Sequence, residues 1–236
     1  MSIPAGVTHP PQRTFKPRRR GLSLSRITAY ANAMARWGID VDGAPLAFEE
    51  VFGVEGDVVL DIGFGGGEAL IEIAETCPRE HVIGVDVHTP GVAAVLEAIE
   101  SRALRNVRVV DGDVLDFMGR IPLHSICAIR IFFPDPWPKR QQRGRRLIRA
   151  DVVARLVALL TVGGTLHLAT DCADYAMQIR QVCDADSGLC GAPIERPSWR
   201  PITRFEQRAI DQGRTAVDLF YTASESSPNE ASSALR

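Results

Sequence analysis

Val58-Val59-Leu60-Asp61-Ile62-Gly63-Phe64-Gly65-Gly66-Gly67-Glu68 reads as an apolar strand, a glycine-rich turn and the start of a helix. Glycine admits φ > 0 and lets a ligand approach the backbone closely. A strand, a glycine turn and a helix in that order open the nucleotide-binding unit of α/β folds. Working outward, the pattern predicts further strands over 82–87, 107–110, 126–133 and 165–169. It predicts helices over 67–76, 91–102, 145–160 and 171–184. The strands are nearly continuous apolar runs, which implies burial on both faces and a parallel sheet. Alternating strands and helices give a doubly wound, mostly parallel α/β sheet. A last strand, 216–222, follows a loop and is expected to insert antiparallel. Upstream, Ser23 or Ser25 is placed to cap a helix over 24–37, with Leu24, Ile27, Tyr30, Ala31 and Met34 on one face. The chain divides into a flexible basic arm (1–21), one catalytic-sized domain (22–223) and a polar, Ser-rich tail (224–236) expected to be disordered.

The residues around the glycine turn discriminate between ligands. A dinucleotide fingerprint begun at Gly63 and Gly65 requires Gly or Ala at position 68, where this chain has Glu. Asp61 and Glu68 flank the turn, and carboxylates are poor neighbours for a pyrophosphate. S-adenosylmethionine has no phosphate; its ammonium, sulfonium and ribose diol all suit acidic surroundings. It is therefore favoured over NAD, with Gly63, Gly65 and Gly67 as the cradle and Asp61 among its acids. Asp86 ends the next strand, 19 residues after Gly67, and suits a ribose diol; capping the following helix is the alternative. Asp113 or Asp111, after the third strand, suits the adenine amine, unless either serves only the turn.

Phe132-Phe133-Pro134-Asp135-Pro136-Trp137-Pro138-Lys139-Arg140 carries a strand into a rigid turn and then into cations. Asp135 and Trp137 each precede a proline, which favours extended backbone for both. A carboxylate, an indole and guanidinium groups presented together suit a nucleobase beside a phosphate backbone. For Trp137 the alternative is inward packing. The net charge of −2 conceals an asymmetry. Residues 1–36 carry seven basic groups and residues 139–149 carry six, with no acid in either, which leaves 14 of the 27 basic groups against all 29 acids elsewhere. Cations gathered into two segments of an acidic body point to a directed polyanion site. The five cysteines form no Cys-x-x-Cys pair, and buried, reduced thiols in a cytoplasmic protein are expected. No secretory leader or membrane span is read, and no metal site.

Together these segments resemble the tRNA (guanine-N7)-methyltransferase family, bacterial monomer-type branch, over about residues 14–222. The marks are Asp-Ile-Gly-Phe-Gly-x-Gly (61–67), Gly-Val-Asp-Val-His-x-Pro-Gly (84–91), Phe-Phe-Pro-Asp-Pro-Trp-Pro-Lys (132–139), Ala-Thr-Asp (169–171) and Thr-Arg-Phe-Glu (203–206). The resemblance implies a Rossmann-like class I fold and transfer of methyl from S-adenosylmethionine to N7 of a guanine in the tRNA variable loop. It implies that Asp61, Asp86, Asp113 and Asp135 contact the cofactor and that Asp135 is catalytic. It further implies that Lys139, Asp171, Thr203, Arg204, Phe205 and Glu206 contact the guanine-bearing substrate, and that Gln141, Gln142, Arg143, Arg145 and Arg146 touch RNA. A monomer is expected, with a homodimer as the alternative. Gln141-Gln142 and Ala209 depart from the family pattern, which usually has Arg-His and Gly there.

Structural roles compete for some of these residues. Thr203 and Glu206 form a capping-box pattern, and Asp171 precedes a helix it would cap. His88 and His167 read as structural. The rival functions are a methyltransferase acting on another RNA or small molecule, and a non-catalytic RNA-binding protein.

Overall fold

The computed structural model describes residues 14–15 and 23–224 of the 236-residue chain. Helices α1 (Leu24–Trp37) and α2 (Phe48–Phe52) lead into the alternating unit. That unit comprises β1 (Val58–Ile62), α3 (Glu68–Thr76), β2 (His81–Asp86), α4 (Thr89–Ser101), β3 (Val107–Asp111), α5 (Val114–Phe117), β4 (Ile126–Phe132), α6 (Ala150–Leu159), β5 (Leu160–Thr170) and α7 (Ala173–Asp184). It closes with β6 (Leu189–Ile194), α8 (Arg204–Asp211) and β7 (Val217–Ala223). Seven strands form one sheet in the order β3-β2-β1-β4-β5-β7-β6. Strands β1 to β5 run parallel, and β7 is antiparallel to β5 and β6. The final antiparallel strand and the mostly parallel sheet are as the pattern predicts.

All of β1 is buried. Leu60 and Ile62 join a core with residues of α6 and α7, while Val59 joins the core of α3 and α4 on the other face. The sheet is therefore covered on both sides, which explains its near-continuous apolar strands. After β1 the chain moves to one side through β2 and β3, then returns to the other side at β4. The crevice outside the carboxyl ends of β1 and β4 is thus the topological switch point, where such sheets bind ligands.

The structure corrects several expectations. Ile27 and Ala31 are exposed on α1, while Ala33 is buried against α4 and β3; the apolar face is rotated from the one read in the sequence. Helix α6 begins at Ala150, because Arg140–Arg145 forms a 3₁₀ turn and Arg146 is extended (φ −58°, ψ 137°). Strand β6 is absent from the sequence pattern, since Gly191 and Pro193 weaken it. It is an edge strand, where proline is tolerated. Of the cysteines only Cys183 is fully buried, and Cys190 on β6 is exposed. Thr14 of the basic arm is buried against the domain. Apart from Phe15, the rest of that arm, and the tail beyond Ser224, lie outside the described residues. Among the described residues no helix is long and apolar enough to cross a membrane.

Candidate active site

Five carboxylates follow the carboxyl edge of the sheet in strand order: Asp113 after β3, Asp86 ending β2, Asp61 near the end of β1, Asp135 after β4 and Asp171 after β5. The glycine turn lies at their centre. Gly63, Gly65 and Gly67 have φ of 76°, 62° and 84°, values that side chains rarely adopt. A Cβ on Gly67 would lie 2.2 Å from Val95, and one on Gly91 would lie 1.8 Å from the Gly65 carbonyl oxygen. The start of α4 therefore presses directly on the turn, and Gly91 is what allows it. Asp86 braces the same turn, accepting from Gly65 N–H at 2.6 Å and His88 N–H at 2.7 Å. Asp86 does not cap α4, whose N-cap is His88. Asp113 caps α5 by accepting from Leu115 N–H at 3.0 Å, and Asp111 accepts from Tyr30 Oη at 2.6 Å and Thr89 at 3.3 Å.

Asp61 differs from these acids. It is buried, and no donor among the described residues hydrogen-bonds its carboxylate. Burial pushes its carboxyl up to about 7; Arg130 on the neighbouring strand opposes the rise and Asp86 adds to it. A buried acid without a hydrogen-bonded cation fits a positively charged ligand group beside the glycine turn.

The Pro-Asp-Pro turn begins with Phe133 N–H donating to the Ala169 carbonyl at 2.7 Å. Phe133 and Trp137 have φ of 55° and 40°, so the turn is held between two left-handed residues. Trp137 is thus not extended. Nor is it presented outward: it is 3% exposed, its Nε1–H donates to the Thr14 carbonyl at 2.8 Å, and Arg145 lies 4.4 Å over its ring. Arg146 also departs from expectation. It is 1% exposed and donates to the Pro136 carbonyl (2.8 Å), Gln178 (2.7 Å) and Asp174 (2.5 Å). It braces the turn from beneath and is not available to RNA. The outward cations are Lys139, Arg140 and Arg143; the first two, with Gln141, line an open hollow of 580 Å³, and Arg143 pairs with Asp174 at 3.0 Å. Gln142 is half-buried in the same 3₁₀ turn.

Helix α8 lies over the glycine turn. Thr203 Oγ1 caps it by accepting from Glu206 N–H at 3.1 Å. The reciprocal half of a capping box is missing, because the Glu206 carboxylate instead accepts from Arg200 through both oxygens (2.7 and 3.0 Å). At 4% exposure Glu206 is an interior member of an ion pair with Arg200. Arg204 pairs with Glu68, and a Cβ on Gly65 would meet the Phe205 ring at 3.4 Å. Asp171 pairs with Arg214 at 3.1 Å and does not cap α7, whose N-cap is Cys172. Beneath α8, His167 Nε2 donates to Asp218 at 2.8 Å, in keeping with a structural role. Burial alone would raise the Asp218 carboxyl; hydrogen bonds from His167 and Arg200 outweigh it and hold it below the usual range.

Comparison with known proteins fits this geometry. A family model described as "Putative methyltransferase" matches residues 55–219. A tRNA (guanine-N(7)-)-methyltransferase of Nitrosomonas eutropha is 37% identical over 91% of this chain and 98% of its own. One of Polaromonas naphthalenivorans is 38% identical over 93% of each. This chain belongs to the tRNA (guanine-N7)-methyltransferase family. Among solved structures, the 16S rRNA methyltransferase KamB superposes with a TM-score of 0.57 at 17% identity, covering 75% of this chain and 92% of that one. The 30S ribosomal A1408 methyltransferase from an uncultured bacterium gives 0.53 at 12% identity, again over 75% of this chain and 92% of that one. These likenesses show the fold, a class I methyltransferase sheet.

As a methyltransferase of this family the chain uses S-adenosylmethionine as methyl donor. The acid-lined glycine turn suits that donor, with Asp61 as the acid that has no hydrogen-bonded partner among the described residues. Three residues of structural weight escape a reading of the sequence alone. Gly91 is visible there only as part of a motif, although its proline-preceded helix start hints at a close approach. Arg146 stands in a run of arginines, where nothing marks the buried one. Arg200 carries no sequence signal at all.

Proposed function

We propose that this enzyme methylates N7 of a guanine in the variable loop of tRNA, and that the sheet edge divides the work by position. The supporting observation is a juxtaposition: an acid-lined glycine crevice beside a braced Pro-Asp-Pro turn, with exposed cations on its far side. Bound S-adenosylmethionine supplies an electrophilic methyl carried on a sulfonium. Asp61 takes its ammonium, Asp86 its ribose hydroxyls and Asp113 its adenine amine.

Guanine N7 has a free lone pair at neutral pH, so no side chain need remove a proton before attack. The protein's task is alignment, which can contribute up to about 7–11 kcal/mol. Asp135, held by its flanking prolines and by Arg146 on the Pro136 carbonyl, places a carboxylate where positive charge develops on the purine. Asp171 supports it from the end of β5. Lys139, Arg140 and Arg143 hold phosphates, which positions the RNA without reading its sequence. Phe205, 43% exposed, offers the outward ring that Trp137 does not. The enzyme acts in the cytoplasm on a target base unstacked from its neighbours.

The test is methyl transfer from labelled S-adenosylmethionine to unmodified tRNA transcripts, followed by nucleoside analysis. Label in 7-methylguanosine at a variable-loop position is expected. Label in another nucleoside, or none from protein that binds the donor, overturns the assignment.

A further inference from the structure

Arg200 is fully buried and spends its guanidinium on two carboxylates from different elements. Nε and Nη2 donate to Asp218 on β7 at 2.7 and 2.8 Å; Nη1 and Nη2 donate to Glu206 on α8 at 2.7 and 3.0 Å. Its Cζ also lies 5.5 Å from the Phe132 ring and 5.6 Å from that of Phe133, the two residues that run into Pro134-Asp135. One side chain thereby touches the sheet, the start of the Pro-Asp-Pro turn and the helix that lies on the glycine turn.

Helix α8 needs such an anchor. It has eight residues, too few to be stable alone. Only Glu206 and Ala209 are buried, while Phe205 and Ile210 on the same helix are exposed, so little apolar contact docks it. Yet Arg204 and Phe205 depend on its placement to meet Glu68 and Gly65.

We infer that Arg200 is a positioning residue for methyl transfer: by bridging Glu206 to Asp218 it seats α8 on the glycine turn and keeps that helix in register with the end of β4. The inference rests on the methyltransferase reading. The planar guanidinium fork makes two bonds to each carboxylate at once, a geometry that the compact three-donor ammonium of lysine does not reproduce, so Arg200→Lys keeps the charge and loses the doubly bidentate bridge. Glu206→Gln removes the α8 end of the bridge while leaving Arg200 on Asp218.

The experiment measures hydrogen exchange of α8 and α7 in the ligand-free variants, alongside the KM for S-adenosylmethionine. Both substitutions are expected to speed exchange in α8 at least tenfold with α7 unchanged, and to raise the donor KM about tenfold. The double variant should be no worse than the worse single. Tyr221→Phe, which loses the 2.9 Å bond to Asp184 away from α8, serves as the destabilised control and should leave the donor KM unchanged. Unchanged α8 exchange in both variants overturns the role, as does a KM rise in Tyr221→Phe equal to theirs at equal loss of Tm. If Arg200→Lys fails to fold, Glu206→Gln decides alone. Exchange is read without ligand, so its result for Arg200 stands even if the tRNA assignment falls.

Discussion

The glycine crevice and the cationic turn are neighbours on one sheet edge, but they are built from partners at different distances along the chain. In the crevice, Asp86 binds His88 and Asp113 binds Leu115, each two residues on, and Asp86 reaches back to Gly65 only across the strand–turn–helix unit whose punctuation the sequence shows. In the turn, Trp137 binds Thr14, and Arg146 binds Gln178 and Asp174 on another helix. Short-range partners leave a spacing in the sequence; long-range partners do not. Residues that look equivalent in a basic run therefore divide into interior braces and outward ligands only once the chain is folded.

The largest expected effect tests whether the turn carries chemistry at all. Asp135→Ala should lower kcat about 100- to 1000-fold, the usual cost of removing one preorganised electrostatic group. Tm should stay within a few degrees of wild type. Retention of a tenth of wild-type turnover would leave the turn as a scaffold and put the chemistry on Asp171.

The division among cations comes next. Arg146→Ala empties a buried site and leaves the Pro136 carbonyl and the Gln178 side chain without their donor, which should lower the urea midpoint. The salt dependence of tRNA binding should not change. Replacing Lys139, Arg140 and Arg143 together with Ala should do the reverse: an unchanged midpoint, and a log K against log salt slope reduced by about 2–3. A reduced slope in Arg146→Ala would return that side chain to the RNA surface.

The same contrast explains how much is legible in the sequence. The parallel sheet, its strand ends and the five acids along its edge can be read because period and punctuation are local properties. The antiparallel β7 is legible as a strand from its apolar run, but the loop read before it holds helix α8, which ends five residues ahead of the strand. The inward Trp137 is not, because its left-handed backbone opposes the usual preference of a residue before proline and depends on Thr14 and Arg145. Strand β6 is hidden by Gly191 and Pro193, and the Arg200 bridge by its reliance on three elements.

Asp61 should make the crevice pH-sensitive in two opposite ways. Its carboxyl stands at about 7 in the free protein against an ordinary 3.8. A cationic donor group needs it ionised, so the dissociation constant for S-adenosylmethionine should rise about tenfold per pH unit below 7, as calorimetry would show. Folding works the other way: the raised value favours the protonated native state, so its stabilisation is complete in acid and lost as pH climbs through 7. The loss amounts to at most about 4 kcal/mol. Asp61→Asn should therefore raise Tm at pH 8 more than at pH 5, while abolishing tight donor binding. A donor affinity flat between pH 5 and 8 would remove Asp61 from the ammonium site.

The smallest effects separate the two aromatic rings. Trp137→Phe keeps a ring under Arg145 but loses the bond to Thr14, which should cost about 1 kcal/mol of stability and leave the KM for tRNA within twofold. Phe205 is exposed and contributes little to the core, so Phe205→Ala should leave Tm unchanged. If its ring stacks on a base, that substitution should weaken tRNA binding by about 1–3 kcal/mol. The two variants thus exchange their effects between stability and binding. A tRNA defect in Trp137→Phe at unchanged Tm would mean that the indole leaves its pocket to meet RNA. A lowered Tm in Phe205→Ala with normal tRNA binding would make its contact with Gly65 a packing contact alone.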